Sequence, residues 1–576
     1  MSVLVQERPG KAYGQGFETY TQAMTLQRST LARRTMRVTV LLCIMAWLGL
    51  ALKPAQEPGV AVEEDAGRVF VLSETCQRCH DASPNAEALW TATGEDASPH
   101  GTWKGTVMAN SFFDPYWRAQ VARELSVAKP EDHAEIEALC TRCHTPAAVH
   151  EARLSGEPLP RLAELLSDPA AHEGVTCTVC HRMTGEGLGD KSTMNGNPPM
   201  DLELNLYGPY PDPVQGPMAA MTGYDINYGP HMVQSSLCGT CHTLETAHAP
   251  GAKPFLEQSP YLEWRNSVYS YETELTDESR SCQDCHMVNM GDMKLAHNPR
   301  GLDFPFLNDR EDVSSHAIVG GNAFLLDMLA IGKESLGVLS PLDSLAKNAA
   351  LTRRQLEYNT ANLEVEKARI EGERLLFDVA VENLAGHKLP SAYPSRRVWL
   401  EVTVKTGSQT WFASGVPDPA GRIQPRGELR TLPHLDKITE ASQVQVYQTI
   451  ALDEHGKRTT LLTRMASVGK DNRLLPKGWK MDGPHSEQTN PVGVGEDPDF
   501  TGGSDLVHFA IELPETHRNA GLHFVSARLL FQTIPPQWAD DHRDTERPES
   551  QTFIDLYDQV PTRYEVLATT RRRVLR

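Results

Sequence analysis

The pattern of apolar and polar positions divides the chain into stretches of different period. Residues 38–52, VTVLLCIMAWLGLAL, are apolar without a break. They fall short of the roughly twenty residues that a membrane-crossing helix needs. Arg28, Arg33, Arg34 and Arg37 precede them, an arrangement that keeps the N-terminal side in the cytoplasm and exports the rest. The segment reads either as an uncleaved signal-anchor behind a cytoplasmic tail of residues 1–37, or as the apolar part of a signal peptide whose true start is Met24 or Met36. No convincing small-x-small cleavage site follows it. Residues 53–66 are a polar linker. Residues 67–335 hold neither a helical nor a strand period for long and predict a helical, loop-rich domain. Within it, residues 190–231 are so rich in Gly, Pro, Asn and Tyr that a long irregular loop is expected.

Order returns at 340–357. Ser340 offers a cap, Pro341 suits a first turn and Asp343 completes a capping-box pattern. Leu342, Leu345, Ala349 and Leu356 then share one face of a connecting helix. Beyond residue 360 the period changes to two. A hairpin turns at Glu371-Gly372, with Leu375, Phe377, Val379 and Val381 on one side. Further strands are expected near 397–405, 409–413, 444–452, 458–464, 505–512 and 522–533. Short strands with turn signals between them predict an all-β, sandwich-like domain over 360–576. The expected fold class is therefore multidomain: one N-terminal hydrophobic helix, a loop-rich helical domain, a connecting helix and a β-sandwich.

With 576 residues the chain is too long for one core. Its formal net charge of −20 excludes the basic footprint that nucleic acid requires and disfavours adhesion to anionic lipid. The cysteines change the picture most. Ten of the eleven fall in five frames of one form: Cys76-Gln-Arg-Cys79-His80, Cys140-Thr-Arg-Cys143-His144, Cys177-Thr-Val-Cys180-His181, Cys238-Gly-Thr-Cys241-His242 and Cys282-Gln-Asp-Cys285-His286. CxxCH is the attachment motif of c-type haem: the thiols take the two vinyl groups and the histidine reaches the iron from one face. Zinc ribbons have no use for a histidine after each pair, and thioredoxin-like CxxC normally occurs once. The motif implies five covalent haem c groups. His80, His144, His181, His242 and His286 are then the proximal iron ligands.

The sixth coordination position decides what such a haem does. A second histidine makes an electron carrier, methionine raises the potential, and an open position admits a small ligand. His100, His172, His231, His316 and His387 are the candidate distal ligands. His316 lies in SSHAIVGGNAFLL, where a polar turn and an apolar run position it. His387 lies in ENLAGHKLPSAYPSRR, a bent loop between strands, and is expected to reach back to a haem of the other domain. Arg396 and Arg397 are candidate partners for haem propionates. His133, His150, His248 and His297 read as surface residues, and Met108, Met287, Met290 and Met293 as packing residues with ligand potential. Asp497, Asp499 and Asp505 suit a Ca2+ loop only weakly, since their spacing is not that of an EF-hand.

The haem-bearing region also repeats itself. SPHGTWKGTVM, from Ser98, aligns with SPYLEWRNSVY, from Ser259, so that Trp103 matches Trp264 while His100 and Met108 become Tyr261 and Tyr269. Trp103 follows Cys76, and Trp264 follows Cys238, at nearly equal offsets, the mark of a duplicated haem-plus-helix unit.

The five frames, HGTWKGTVMANSFFDPYWRAQVARE, EQSPYLEWRNSVYS and GHKLPSAYPSRR together resemble the multihaem c-type cytochromes of the cytochrome c-552/c-554-like group over most of residues 70 to 535. The resemblance implies haem attachment outside the cytoplasm. It implies electron transfer in the periplasm or at the cell surface, or at the inner membrane facing the periplasm if the anchor is kept. It also implies partners that are redox proteins, a quinol-oxidising complex or other cytochromes. The alternative is an oxidoreductase with one open-site haem acting on a small nitrogen or sulfur compound. Nitrite-reducing relatives often carry a CxxCK frame, and this chain has none.

Overall fold

A computed structural model describes residues 68–247, 252–423 and 433–576. The apolar segment 38–52, the tail before it, the linker 53–66 and His248 lie outside the described residues. Among those described, no helix is long and apolar enough to cross a membrane.

Among the described residues, the C-terminal part is built on ten strands: β1 (Ala361–Glu371), β2 (Arg374–Asn383), β3 (Arg397–Thr406), β4 (Gln409–Ser414), β5 (Lys437–Ile438), β6 (Val446–Leu452), β7 (Ser467–Asp471), β8 (Ser504–Glu512), β9 (Leu522–Gln532) and β10 (Glu565–Leu575). They form two sheets. One runs β1-β2-β8-β5; the other runs β7-β6-β3-β9-β10, with β4 paired to β3. Alternation closes the core. Leu375, Phe377, Val379 and Val381 of β2 face Val398, Leu400, Val402 and Val404 of β3 and Val525, Ala527 and Leu529 of β9 in one buried cluster.

Two expectations fail here for physical reasons. The strand expected at 458–464 is replaced by an isolated bridge at Arg458 and a short 3-10 segment, Leu462–Arg464. Its backbone is drawn to a helix of the N-terminal part, Pro115–Val127: Leu462 N donates to Glu124 Oε1 (2.6 Å), and Gln120 Nε2 donates to Thr460 O (2.9 Å). Nor is the C-terminal part all β. Helices Pro536–Arg543 and Pro548–Gln559 begin on prolines and place Trp538, Phe553 and Tyr557 against Tyr116 and Phe324. Burying each such aromatic ring contributes about 2 kcal/mol or more, which outweighs the weak helical signal of these short segments. This core runs across both halves of the described chain.

The connecting helix spans Leu342–Asn359. Leu345, Ala349 and Leu356 are buried, but Leu342 is exposed and stands off that face. Ser340 does not cap it; its hydroxyl donates to Lys104 O (2.6 Å) and lies 2.8 Å from Asn110 Oδ1. The N-terminal part is helical and loop-rich, as its composition implies. Even the segment 190–231 has order: a parallel strand pair, Asn205–Gly208 and Asp225–Tyr228, flanks helix Gln215–Thr222.

Candidate haem centres

Each frame sits on or at the end of a short helix: Ser73–His80, His133–His144, Cys177–His181, Ser235–Gly239 and Cys282–His286. One helical turn brings the two cysteines of a frame to the same face. None of the ten is joined to another in a disulfide, and all keep some solvent exposure.

The histidines carry a second, independent signature. Nδ1 of His80 lies 2.8 Å from Leu295 O, that of His144 3.1 Å from Ser111 O, that of His181 2.7 Å from Tyr207 O and that of His286 2.5 Å from Val319 O. A carbonyl only accepts, so each Nδ1 must carry the proton and each Nε2 presents its lone pair. Metal-bound histidine is usually oriented in this way. Burial holds the rings neutral, pushing His144 down to about 4. Trp117 lies flat on the His144 ring, centres 4.4 Å apart.

Two frame histidines face a second histidine. His181 and His316 have ring centres 6.4 Å apart and planes 17° from parallel; His286 and His387 are 6.3 Å apart and 11° from parallel. Two metal–imidazole bonds of about 2 Å, each continued by about 1 Å from nitrogen to ring centre, span about 6 Å. His387 also has its Nδ1 on a carbonyl, Lys388 O at 2.9 Å, which leaves Nε2 available. Burial pushes His316 down to about 4. Haem c fits these residues in attachment chemistry, in tautomer and in spacing.

The repeat in the sequence is also a repeat of contacts. Helices Pro99–Trp103 and Pro260–Arg265 are the two copies. The indole of Trp103 donates to Val175 O (2.9 Å), two residues before Cys177; that of Trp264 donates to Arg280 O (2.8 Å), two residues before Cys282. The side chain before each tryptophan holds the loop of a facing histidine: His316 N donates to Thr102 Oγ1 (3.1 Å), and Lys388 N donates to Glu263 Oε2 (3.1 Å). Even the thiol contacts match, Cys76 with Cys177 in one copy and Cys238 with Cys282 in the other. Frames one and three thus form one module, frames four and five a second. Cys143 lies near Cys241, which joins the second frame to the fourth, and Cys180 lies near Cys238 and Cys241. The five frames form one connected set, with the fourth at its branch.

The remaining candidates separate by tautomer. His172 and His231 spend Nε2 on carbonyls, Leu166 O and Met183 O (both 2.9 Å), and pack against Phe112 and Phe113, and against Tyr207, respectively. His100 is buried beside Asp81, its Nδ1 3.4 Å from Oδ2. His150 and His297, expected at the surface, are buried; both ring nitrogens of His297 face carbonyls, Asn298 O and Asp81 O at 2.7 Å. The Nε2 of His133 is also enclosed without a partner. Met293 packs with Ala97 and Val313, and Met290 beside them.

The arginine pair divides. Arg396 donates to Ser391 O and Asn322 Oδ1 (2.9 Å each) and has a buried, unpartnered Nε within electrostatic reach of His242 and His387. Arg397 does not face a haem frame: it is buried in the β part on Gln532 Oε1 (2.8 Å), over the Trp399 ring. Strand alternation sends neighbours to opposite sides. Arg182, which sequence reasoning missed, is buried with Nε and Nη1 unpartnered.

The three aspartates that suited a Ca2+ loop only weakly do not converge. Asp497 and Asp505 join His434, while Asp499 joins Asp436 and His508; Asp505 and His508 are three residues apart on β8 and so point to opposite faces. His434 Nδ1 accepts from Gln445 and Asn472 amides (2.9 and 3.0 Å), so its Nε2 carries the proton and donates to Asp497 (2.8 Å). That ring has no lone pair left for a cation.

No protein-family model matches the chain, and no curated protein matches it. Among solved structures, a penta-heme cytochrome c552 from Thermochromatium tepidum aligns with 88% of this chain and 99% of its own, at 16% identity and a TM-score of 0.47. What the frames can do follows from their own geometry.

Proposed function

We propose that the chain is a multihaem c-type cytochrome that relays electrons through five covalently attached haems. The observation that carries this reading is the connected set of five CxxCH frames, two of them with a second histidine opposite the first. When bound, haem c supplies a one-electron Fe(III)/Fe(II) couple. The cysteines tether it, the Nδ1-bonded histidines present Nε2, and His316 and His387 close two of the sites as low-spin pairs. The β part supplies His387 and so contributes directly to a redox centre. The redox partners in this reading are a quinol-oxidising complex or other cytochromes. The location is the outer side of the cytoplasmic membrane, with the segment 38–52 either retained as an anchor or removed.

One feature favours a second reading, an oxidoreductase with an open haem. Among the described residues His80, His144 and His242 are not opposed by a histidine at the ring spacing of the two pairs, and of these His242 stands near a cation, Arg396. A cation beside an open iron suits a small anion or a nitrogen or sulfur compound. A haem count with low-temperature EPR on the exported chain separates the two readings. Five haems, all low spin, support a relay alone. A high-spin signal of about one haem that responds to added nitrite or hydroxylamine favours the enzyme. A preparation without covalent haem overturns both.

A further inference from the structure

Glu263 is fully enclosed and makes contacts in two directions. Its Oε2 accepts from Lys388 N (3.1 Å) and from Ser391 Oγ (2.5 Å), which lie on either side of the bend that follows His387. Its Oε1 accepts from Ser259 Oγ (3.2 Å) in its own helix and pairs with Arg473 (3.1 Å) of the β part. Arg473 also holds Asp471, which pairs with Lys388 Nζ (2.6 Å). The loop that carries His387 is thus anchored at its backbone, at Ser391 and at Lys388, with Glu263 a shared centre. In the other module the same position is Thr102, whose hydroxyl accepts from His316 N. A threonine suffices where both partners belong to the N-terminal part. A carboxylate stands where the facing histidine comes from another part of the chain and two cations must be brought to it.

We propose that Glu263 is a positioning residue for the iron at the fifth frame. It fixes the loop at 387–391 so that His387 faces His286, and it acts through Lys388 and Ser391 without touching either ring. The proposal rests on the reading that His387 closes that iron. The position also marks how the duplicated modules diverged: the anchor of the second became the point where the β part is locked to the haem frames.

The test uses the full haem-loaded chain and reads EPR spin state and g-values together with haem content. Glu263→Ala is expected to retain five haems and to turn about one haem of the five from low to high spin, the same component that His387→Ala removes, leaving that of His316 unchanged. Added imidazole should restore low spin in both variants, since the iron itself is intact. Glu263→Gln, which keeps an acceptor oxygen, should recover most of the wild-type spectrum; a merely structural carboxylate would give no such selective rescue of one component. Removal of one charge partner can prevent folding, so Ser391→Ala provides a second route that leaves Arg473 paired. It should shift the g-values of the same component alone. A folded Glu263→Ala or Ser391→Ala protein with the wild-type spectrum overturns the proposal. If His387→Ala itself leaves the low-spin content unchanged, the underlying assignment of His387 fails instead.

Discussion

His387, on a loop between two strands of the β part, stands opposite His286 of the fifth frame, ring centres 6.3 Å apart and planes 11° from parallel. His316 stands in the same relation to His181. The two pairs belong to separate modules, so their effects should add. His316→Ala and His387→Ala are each expected to turn about one haem of five high spin, and the double variant about two. Visible and EPR spectra at constant haem content check this. A double variant that loses no more low-spin signal than either single one would show that the rings do not close separate irons.

The frames were legible in the sequence because covalent attachment needs a fixed spacing, and fixed spacing is local. His316 and His387 were legible as candidates because a polar turn beside an apolar run marks a shaped loop. Which frame each faces was not legible, since that depends on packing between distant segments. His172 and His231 lie five and seven residues before a frame cysteine, but their Nε2 atoms bond carbonyls that no local pattern reveals. The β-sandwich followed from alternation, whereas helices Pro536–Arg543 and Pro548–Gln559 did not, because their apolar faces are short and complete themselves only against Tyr116 and Phe324. Ser340 had the residue type of a cap, and a tertiary acceptor, Lys104 O, took its hydroxyl.

Lys388 and Asp471 form a buried pair at 2.6 Å, with Arg473 and Glu263 completing a set of two cations and two anions. Removal of Lys388 leaves two buried carboxylates, Asp471 and Glu263, sharing the single cation Arg473. Lys388→Met is expected to destabilise the chain by about 3–5 kcal/mol. Urea unfolding of the haem-loaded protein measures it. A loss below about 1 kcal/mol would place the pair among those that contribute little net stability.

Glu124 joins the N-terminal part to the segment that replaces the expected strand. It accepts from Leu462 N and Thr463 Oγ1, both at 2.6 Å, and from Gln120 Nε2 at 2.7 Å. Glu124→Ala leaves the Leu462 amide without its acceptor, at a cost of about 1–3 kcal/mol. Hydrogen exchange should accelerate at Leu462 and Thr463 while the β2–β8 ladder stays protected. Uniform acceleration across both regions would mean that the contact supports the whole fold and not this segment.

His508 faces Asp378 through Nδ1 (2.7 Å) and Asp499 through Nε2 (3.1 Å). The Asp378 hydrogen bond, with that of Asp499 behind it, raises its pKa above the ordinary histidine value. A group raised in the folded state contributes stability that is complete below its unfolded pKa, about 6.5, and is lost as pH rises through the folded value. Solvent reaches the ring and screens the pairs, so the effect is small. Stability of His508→Gln should therefore be less dependent on pH above about 6.5 than that of the wild type. Parallel curves for the two proteins would show that the imidazolium is not what the carboxylates hold.

Trp103 and Trp264 donate to carbonyls two residues ahead of the third and fifth frames, at 2.9 and 2.8 Å. If the modules are equivalent, the same substitution should have the same consequence in each. Trp→Phe keeps most of the buried ring and removes only the indole donor, so Trp103→Phe and Trp264→Phe are each expected to cost about 1 kcal/mol. The spectroscopic effects should stay within one module: the first variant perturbs the haem signal of His181, the second that of His286. Redox titration followed by EPR resolves them. Identical perturbation of both signals by either variant would mean that the two modules respond as a single body. Perturbation of one signal each would show that the duplicated units still set their own haem geometry.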